Sequence, residues 1–439
     1  MEGQTKTVDL LGYSPEEYAL FRKHAIIVLL GFSILYCALY SGRLNMGLAI
    51  PVMIEEMGWT KEELGILTGI LFWTYGMGHL FNGRLGEIFG INRFIVAGVI
   101  LSAAANIFIS FQSSLIIIAI AWGFNGYFQS MLWSPGMALI AKWWPGKNRG
   151  FATGFCNAFS GFGSVFAWIG VYFAFTVAPG MGWRAAFTIP MIGMLIFVVI
   201  YKIIVKQSPA QIGLKEYQEE EERAAYEEEL KRIVEEKGKI YPYIHLLKQW
   251  QFIMWCLIVA GSNMARYGLL TWIPTYYVDV MGVDVKQGII GTVLLPLGMA
   301  LGTFIVPWAT DKYCSTNRLP AVIICAAVSA ITVFIFPSLT SMGSAAALLF
   351  LAGFFIYAIN GVVWAYATDV GGRVFGGTAT GILDCAAYLG ASVQAVLFGG
   401  VLTRTGNWNF VFACITGICI FIIVCALVSG GTKAFKRGR

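Results

Sequence analysis

The chain has 439 residues, of which 58% are hydrophobic and only 12% are charged, and its formal net charge is +6. Because soluble globular proteins carry about 25% charged residues, this composition excludes an ordinary soluble enzyme. Apolar runs of about 20 residues recur along the sequence, which is the length that crosses a hydrocarbon core. Backbone groups inside lipid must bond within their own segment, so the sequence predicts an all-α membrane protein.

Twelve transmembrane helices are predicted. The first follows a polar stretch, residues 1–23, that does not resemble a cleaved signal peptide. A charged segment divides the chain into an N-terminal six-helix half (1–206), a cytoplasmic linker (207–250) and a C-terminal six-helix half (251–439). The predicted spans are 25–45, 60–82, 94–112, 115–141, 151–176, 185–205, 251–277, 287–308, 320–340, 345–368, 376–402 and 408–429.

An arginine interrupts the first span, and another interrupts the seventh. Arg43 and Arg266 each lie within an otherwise apolar run. An arginine at the centre of a membrane helix costs roughly 2.5–3.5 kcal/mol on insertion scales, so both indicate a functional site. A guanidinium group matches two oxygens of a phosphate or carboxylate, and two of them predict an anion site. Snorkelling to the membrane surface and structural ion pairs are the alternatives.

Lysine and arginine placement predicts the orientation. Most of the 30 basic residues lie in the termini and in alternate loops, whereas Lys61, Arg184, Lys286 and Arg404 lie in the opposite loops. Loops rich in lysine and arginine face the cytoplasm. We therefore expect a multi-pass protein of the bacterial inner membrane with both termini in the cytoplasm. The net charge is attributed to this topology rather than to nucleic-acid binding.

Several landmarks recur at an offset of about 224 residues. A nearly constant offset means that the second half repeats the first in the same orientation. Two parallel, pseudo-symmetric halves with a substrate site between them are typical of the major facilitator fold. The pairs are Arg43 with Arg266, Glu87 with Asp311, Arg149 with Arg373, Asn157 with Asp384, and Trp183 with Trp408.

Aromatic and polar residues near the first arginine follow helical spacing. Tyr36, Tyr40 and Arg43 share one helix face, and Tyr75 and His79 share a face of the second span. A substrate-facing role is predicted for this set, although tyrosines also serve as packing or interfacial residues. His79 titrates near neutral pH in its ordinary state, and a structural hydrogen bond is its alternative role.

The fifth and eleventh spans contribute a repeat-equivalent pair, Asn157 and Asp384, with Ser160 one turn from the asparagine. An ionisable group inside a membrane span is a functional candidate by default. Asp384 is predicted either to contact a cationic part of the substrate or to act as a counter-ion for Arg43 or Arg266.

Further charged residues lie at the predicted cytoplasmic ends of the helices, where gating or structural clusters are expected. The nine cysteines form no CxxC pair, and no metal-ligand spacing or histidine cluster occurs. We therefore predict neither an enzyme nor a metal or cofactor site. The charged residues are Arg84, Glu87, Arg149, Asp311, Lys312, Asp369 and Arg373.

Four motifs resemble those of the organophosphate:phosphate antiporter family. They are GFNGYFQSMLWSP over 123–135, KWWPGKNRG over 142–150, RYGLLTWIPTY over 266–276, and Thr380-Gly followed by Tyr388-Leu-Gly. The resemblance covers all twelve spans. It implies exchange of a phosphorylated metabolite for inorganic phosphate by alternating access.

The resemblance also implies residue roles. Arg43 and Arg266 match the family's phosphate-binding pair, and Tyr36, Tyr40, Tyr75, Asn157 and Tyr357 match positions that line its cavity. Glycerol-3-phosphate transporters of the family have a lysine, a histidine and a glycine where this chain has His79, Ser160 and Asp384. Relative to those transporters, the cavity of this chain would therefore have less positive charge and one additional carboxylate, which suggests a zwitterionic substrate.

These observations predict a secondary transporter of a small organic anion, a phosphate ester or phosphonate, that exchanges it for inorganic phosphate. The protein is expected to be a monomer in the lipid bilayer. The alternatives are a proton-coupled symporter of a carboxylate or sulfonate, with His79 or Asp384 as proton carrier, and a transporter-like membrane sensor of a phosphorylated metabolite.

Overall fold

The computed structural model describes residues 11–144, 146–215, 228–230, 232–238, 240–313 and 318–429. Within these ranges it does not describe the side chains of residues 146–150, 311, 365, 367–374, 376 and 377. No strand occurs in these ranges. Three short 3-10 helices, Pro179–Arg184, Pro209–Ile212 and Phe336–Ser338, lie between longer elements. The α-helices are α1 (Pro15–Leu39), α2 (Ser41–Met57), α3 (Lys61–Phe89), α4 (Ile91–Ser110), α5 (Leu115–Trp143), α6 (Gly146–Val177), α7 (Ala185–Ile204), α8 (Tyr241–Leu247), α9 (Trp250–Met281), α10 (Val285–Thr292), α11 (Leu294–Tyr313), α12 (Leu319–Ile335), α13 (Met342–Thr405) and α14 (Trp408–Val428).

The described ranges contain twelve spans long and apolar enough to cross a membrane, which confirms the predicted all-α membrane fold. The first span, Pro15–Met57, combines α1 and α2, and Val285–Thr310 combines α10 with most of α11. The long helix α13 carries two spans, Met342–Trp364 and Thr378–Thr405. The predicted division into two halves and a linker remains a prediction.

The helices extend beyond the apolar runs that predicted them. The first span was predicted over 25–45, yet α1 begins at Pro15, where the Ser14 side chain accepts a hydrogen bond from the Glu17 backbone. Its continuation α2 ends at Gly58, which adopts the left-handed conformation at φ 67°. Polar residues precede the apolar run, so α1 begins before it, and the apolar residues 46–54 continue the run beyond its predicted end. The caps determine where the helices begin and end.

The main contacts between the two predicted halves are those of α2 with α9, α3 with α13, and α6 with α11, and α10 also packs against α6 and α2. Glycines allow close approach in these contacts. A Cβ atom on Gly161 of α6 would lie 2.3 Å from the Cα of Ala300, and one on Gly65 of α3 would lie 2.3 Å from the carbonyl oxygen of Ala395. Small residues at membrane helix interfaces permit backbone contact of this kind.

Polar contacts join the halves where α3 begins, a side of the molecule called here the outer face, following the predicted orientation. Lys61 Nζ lies 2.5 Å from Asp279 Oδ2 at the end of α9. Glu62 contacts α13 twice, through Arg404 Nη2 at 3.4 Å and by donating its backbone N–H to Thr403 Oγ1 at 2.8 Å. The halves are therefore closed against each other at the outer face.

Candidate functional site

A narrow cavity lies between the two sets of helices, and both contribute to its wall. Six of its lining residues are aromatic, which combines large apolar surface with hydroxyl and indole groups. Residues from α1, α5, α6 and the α1–α2 junction face residues from α9 and α13. The lining residues are Tyr36, Tyr40, Trp133, Asn157, Asn263, Arg266, Tyr357, Asn360, Trp364, Asp384, Ala387 and Tyr388.

Arg43 lies on α2, buried to 2% exposure. Its guanidinium carbon is 4.6 Å from the ring centre of Tyr40 and 4.1 Å from that of Tyr75. Its Nε donates a hydrogen bond to Gln129 Oε1 at 3.2 Å. Its Nη1 and Nη2 are buried without a hydrogen-bond partner among the described residues, so these two nitrogens are available to bind an oxyanion.

Arg266 lies on α9, also with 2% exposure. Its guanidinium carbon is 3.7 Å from the ring centre of Tyr357 and 4.6 Å from that of Tyr267. Its Nη1 donates a long hydrogen bond of 3.5 Å to the Tyr267 hydroxyl, and within the described part of the chain its Nε and Nη2 have no partner. Burial of both arginines argues against snorkelling. Among the described side chains neither has a carboxylate within 4 Å, which argues against a structural ion pair.

Three tyrosine rings connect the two guanidinium groups. Tyr75, which contacts Arg43, lies 4.4 Å from Tyr388, and Tyr388 lies 6.1 Å from Tyr267 beside Arg266. Aromatic faces stabilise a cation without neutralising it. The arrangement therefore fixes two positive charges in the protein interior and leaves that charge available to an anion.

His79 and Asp384 meet across the two sets of helices. His79 Nδ1 lies 3.5 Å from Asp384 Oδ2, with the two side chains 1% and 7% exposed. The same nitrogen lies 3.1 Å from Ser134 Oγ on α5, while His79 Nε2 is buried and has no partner among the side chains that the structure describes. Asp384 thus contacts His79 rather than either arginine among the described residues, which argues against its predicted counter-ion role.

The remaining predicted residues also meet across the cavity. Ser160 Oγ lies 2.6 Å from the Tyr357 hydroxyl, and Asn157 donates to Thr303 Oγ1 at 3.3 Å. The Tyr36 and Tyr40 hydroxyls are 3.5 Å apart. All ten predicted substrate-binding residues therefore line the cavity or contact a residue that does.

Sequence reasoning missed six residues of the cavity wall: Trp133, Asn263, Asn360, Trp364, Ala387 and Tyr388. Asn263 donates to Asn360 Oδ1 at 2.9 Å, within the wall formed by α9 and α13. Helical spacing could have identified the two asparagines, because Asn263 lies one turn before Arg266 and Asn360 lies one turn after Tyr357.

The predicted charge clusters are described only in part. Arg84 Nη1 and Glu87 Oε2 form an ion pair of 2.9 Å within one turn of α3. Lys312 is exposed and lies 5.3 Å from the ring centre of Trp308. The side chains of Arg149, Asp311, Asp369 and Arg373 lie outside the described residues.

Residues 32–395 match the family model of the Major Facilitator Superfamily. The chain belongs to this superfamily. Its fold is also similar to a crystal structure of a bacterial homolog of the human lysosomal transporter Spinster in an inward-facing and occupied conformation. That similarity has a TM-score of 0.72 and 15% identity, and covers 92% of this chain and 97% of the other.

Two curated relatives are named as transporters of phosphorylated compounds, and a third is named as a membrane sensor. The glycerol-3-phosphate transporter of Bacillus subtilis (strain 168) is 26% identical over 92% of both chains. The phosphoglycerate transporter protein of Salmonella typhimurium is 24% identical over 96% of this chain and 92% of its own. Membrane sensor protein UhpC of the same organism is 26% identical over 91% of this chain and 89% of its own.

These relatives confirm the resemblance to the organophosphate:phosphate antiporter family. This superfamily member is a multi-pass transport protein and not an enzyme.

Proposed function

We propose that this protein exchanges a small phosphate ester or phosphonate for inorganic phosphate across the membrane. The observation that carries the proposal is the pair of buried arginines, Arg43 and Arg266, one from each half. In the described ranges each keeps two guanidinium nitrogens without a hydrogen-bond partner. Unpartnered buried donors with a full charge are costly unless a ligand satisfies them, and a phosphate group supplies both the charge and the acceptor oxygens.

The charges of Arg43 and Arg266 also favour exchange of one anion for another over the return of an empty carrier. A carrier that reorients must close its cavity on both sides while its halves pivot about the site. With the cavity empty, two cations would be held together in a medium of low dielectric constant, and this raises the energy of the closed state. A bound dianion neutralises both, so the loaded carrier reorients faster than the empty one.

The relatives support the anionic substrate. Two transporters that match nearly the whole chain are named for phosphate esters. With their aromatic contacts, the arginines of this chain form a site suited to the phosphate group that those esters share.

Counterflow in proteoliposomes tests the proposal. Vesicles containing the purified full-length protein are loaded with unlabelled phosphate or with buffer, and uptake of labelled phosphate is measured. We expect phosphate-loaded vesicles to accumulate label at least about tenfold faster, because the return step is slow for an empty cavity bearing two buried charges. Equal rates in the two preparations would overturn the exchange mechanism.

A proton-coupled symporter is the second candidate, since the His79–Asp384 contact provides a buried ionisable pair between the halves. Its signature in the same experiment is uptake into unloaded vesicles that collapses when an ionophore dissipates the proton gradient. A sensor would bind phosphate compounds without sustained flux in either preparation.

We also propose that the protein is a monomer of the bacterial inner membrane with both termini in the cytoplasm. The basic loops support this orientation. The nine native cysteines are first replaced by alanine or serine. A thiol-reactive, membrane-impermeant probe applied to intact cells then tests the orientation on single cysteines introduced at Lys61 and Arg93. Labelling at position 61 and protection at position 93 are expected, and the reverse pattern would contradict the orientation.

A further inference from the structure

Asp384 is a buried carboxylate in the cavity wall, with 5% exposure. Among the described residues no group donates a hydrogen bond to it, and neither arginine lies within 4 Å. Its contact is with His79 Nδ1 at 3.5 Å, beyond ordinary hydrogen-bond length, and that nitrogen is closer to Ser134 Oγ at 3.1 Å. A buried carboxylate with so little compensation is costly, so a positively charged ligand group would stabilise it.

Aromatic side chains surround the same space. Tyr388 lies one turn from Asp384 on α13, and Trp364 lines the cavity from the same helix. Trp133 faces them from α5, with its ring centre 4.8 Å from that of Tyr36. A carboxylate beside aromatic faces is the combination that binds ammonium and quaternary ammonium groups, because both the charge and the ring quadrupoles attract the cation.

We infer that the substrate is zwitterionic, with a phosphate or phosphonate at one end and an ammonium group at the other. Arg43 and Arg266 bind the anionic end, and Asp384 with its aromatic neighbours binds the cationic end. In this arrangement every buried charge of the cavity has an opposite charge beside it. The inference rests on the proposed function for the anionic end and adds the chemical class of the organic part.

Binding of the ammonium group would also change the contact between the halves. Asp384 and His79 lie on α13 and α3, which belong to opposite halves. An ammonium group that takes Asp384 as its partner competes with His79 for that carboxylate. Asp384 is therefore a specificity-determining residue that also takes part in joining the halves.

Matched ligand pairs test the inference. 2-Aminoethylphosphonate is compared with propylphosphonate, and phosphocholine with 3,3-dimethylbutyl phosphate, because each pair differs only in a positive charge at one end. Their inhibition constants against labelled-phosphate binding are measured on the purified full-length protein. We expect the charged member of at least one pair to bind about tenfold or more tightly, as a buried charge partner predicts.

Two variants test whether Asp384 is the residue that recognises the positive charge. In Asp384→Asn the ratio of inhibition constants should fall to near one. In Glu55→Gln, which removes an exposed carboxylate at the end of α2, the ratio should equal that of the wild type. A wild-type ratio near one, or a ratio that survives Asp384→Asn, would overturn the inference.

The wild-type measurement also separates the two proposals. If phosphate and propylphosphonate both bind and a positive charge confers no advantage, the zwitterionic substrate is wrong while the anion site stands. If none of these probes binds, the proposed function itself fails.

Discussion

Arg43 and Arg266 occupy equivalent positions in the two halves, and each guanidinium lies against two tyrosine rings. The hydrogen bonds around them differ. Arg43 Nε is bound to Gln129, whose Nε2 donates to the carbonyl oxygen of Leu39 at 3.2 Å and to Ser102 Oγ at 3.0 Å. Arg266 has a long hydrogen bond to the adjacent Tyr267. The first arginine is therefore anchored by a network, and the second is positioned by its rings.

The network behind Arg43 also fixes the backbone where the first span bends. Asn125 Nδ2 donates to the carbonyl oxygen of Gly42 at 2.8 Å, and Asn106 donates to the same carbonyl at 3.3 Å. This point lies next to the junction of α1 and α2 at Tyr40. Buried amide networks that satisfy their own donors hold a single geometry, so Arg43 is held rigidly against Tyr40, a residue of the cavity wall.

The corresponding network in the C-terminal half lies beside its arginine without touching the guanidinium. Asn263 donates to Asn360, and Asn360 donates to Ser262 Oγ at 3.4 Å. Asn263 and Asn360 line the cavity themselves. The comparison suggests that the N-terminal half presents a fixed cation, whereas the C-terminal half presents a cation with room to adjust to the substrate.

The largest expected effect comes from replacing either arginine. Arg43→Lys and Arg266→Lys keep the charge but lose the planar pair of donors, and we expect phosphate exchange to fall about 100-fold or more in each, since two charge-assisted hydrogen bonds are lost. Initial rates in proteoliposomes measure this. Arg93→Lys, at an exposed position of α4, serves as the control. An Arg43→Lys or Arg266→Lys variant with near-normal affinity and flux would make the arginine structural.

A smaller effect is expected from changing Gln129, which accepts the hydrogen bond from Arg43. Gln129→Glu places a carboxylate where the amide oxygen lies 3.2 Å from Arg43 Nε, and this carboxylate competes with the substrate for the same cation. We expect phosphate affinity to fall at least about tenfold, as for a new buried charge pair. Gln112→Glu, at an exposed site, controls for the added charge. Undiminished affinity in Gln129→Glu would show that Arg43 does not contact the anion.

The smallest effect concerns Arg266 and its neighbour. Tyr267→Phe removes the 3.5 Å hydrogen bond but keeps the ring, so phosphate affinity should change by less than about threefold. Tyr267→Leu removes the ring as well, and a loss of about threefold to tenfold is expected from the cation–π contact. Equal losses in the two variants would show that the hydroxyl, and not the ring, positions Arg266.

The fold could be predicted from the sequence. So could the presence of both arginines inside membrane spans, because a charge inside an apolar span is visible without any structure. The contacts around them were not predictable. Gln129 reaches Arg43 from 86 residues away, and nearly every side of α2 and α9 is buried, so periodicity does not reveal which face meets the cavity.

Asp384 and His79 illustrate the same limit. Both were selected from the sequence as ionisable groups inside spans, yet the pairing between them depends on how α3 packs against α13. Asp384 was predicted to meet an arginine or a substrate cation; the described contacts argue against the first role, and the second remains a prediction. Trp133 and Trp364 were missed since tryptophan in a membrane helix is most often a packing or interfacial residue.

The central claim is that the two arginines bind one phosphate group together, and a double-mutant cycle on equilibrium phosphate binding tests it most directly. Arg43→Gln, Arg266→Gln and the double variant are compared with the wild type by calorimetry on purified protein. The account predicts one phosphate per wild-type chain, a large loss in each single variant, and a double variant that loses far less than the sum of the two, because both groups hold the same ligand. Additive losses, or unchanged binding in either single variant, would contradict it.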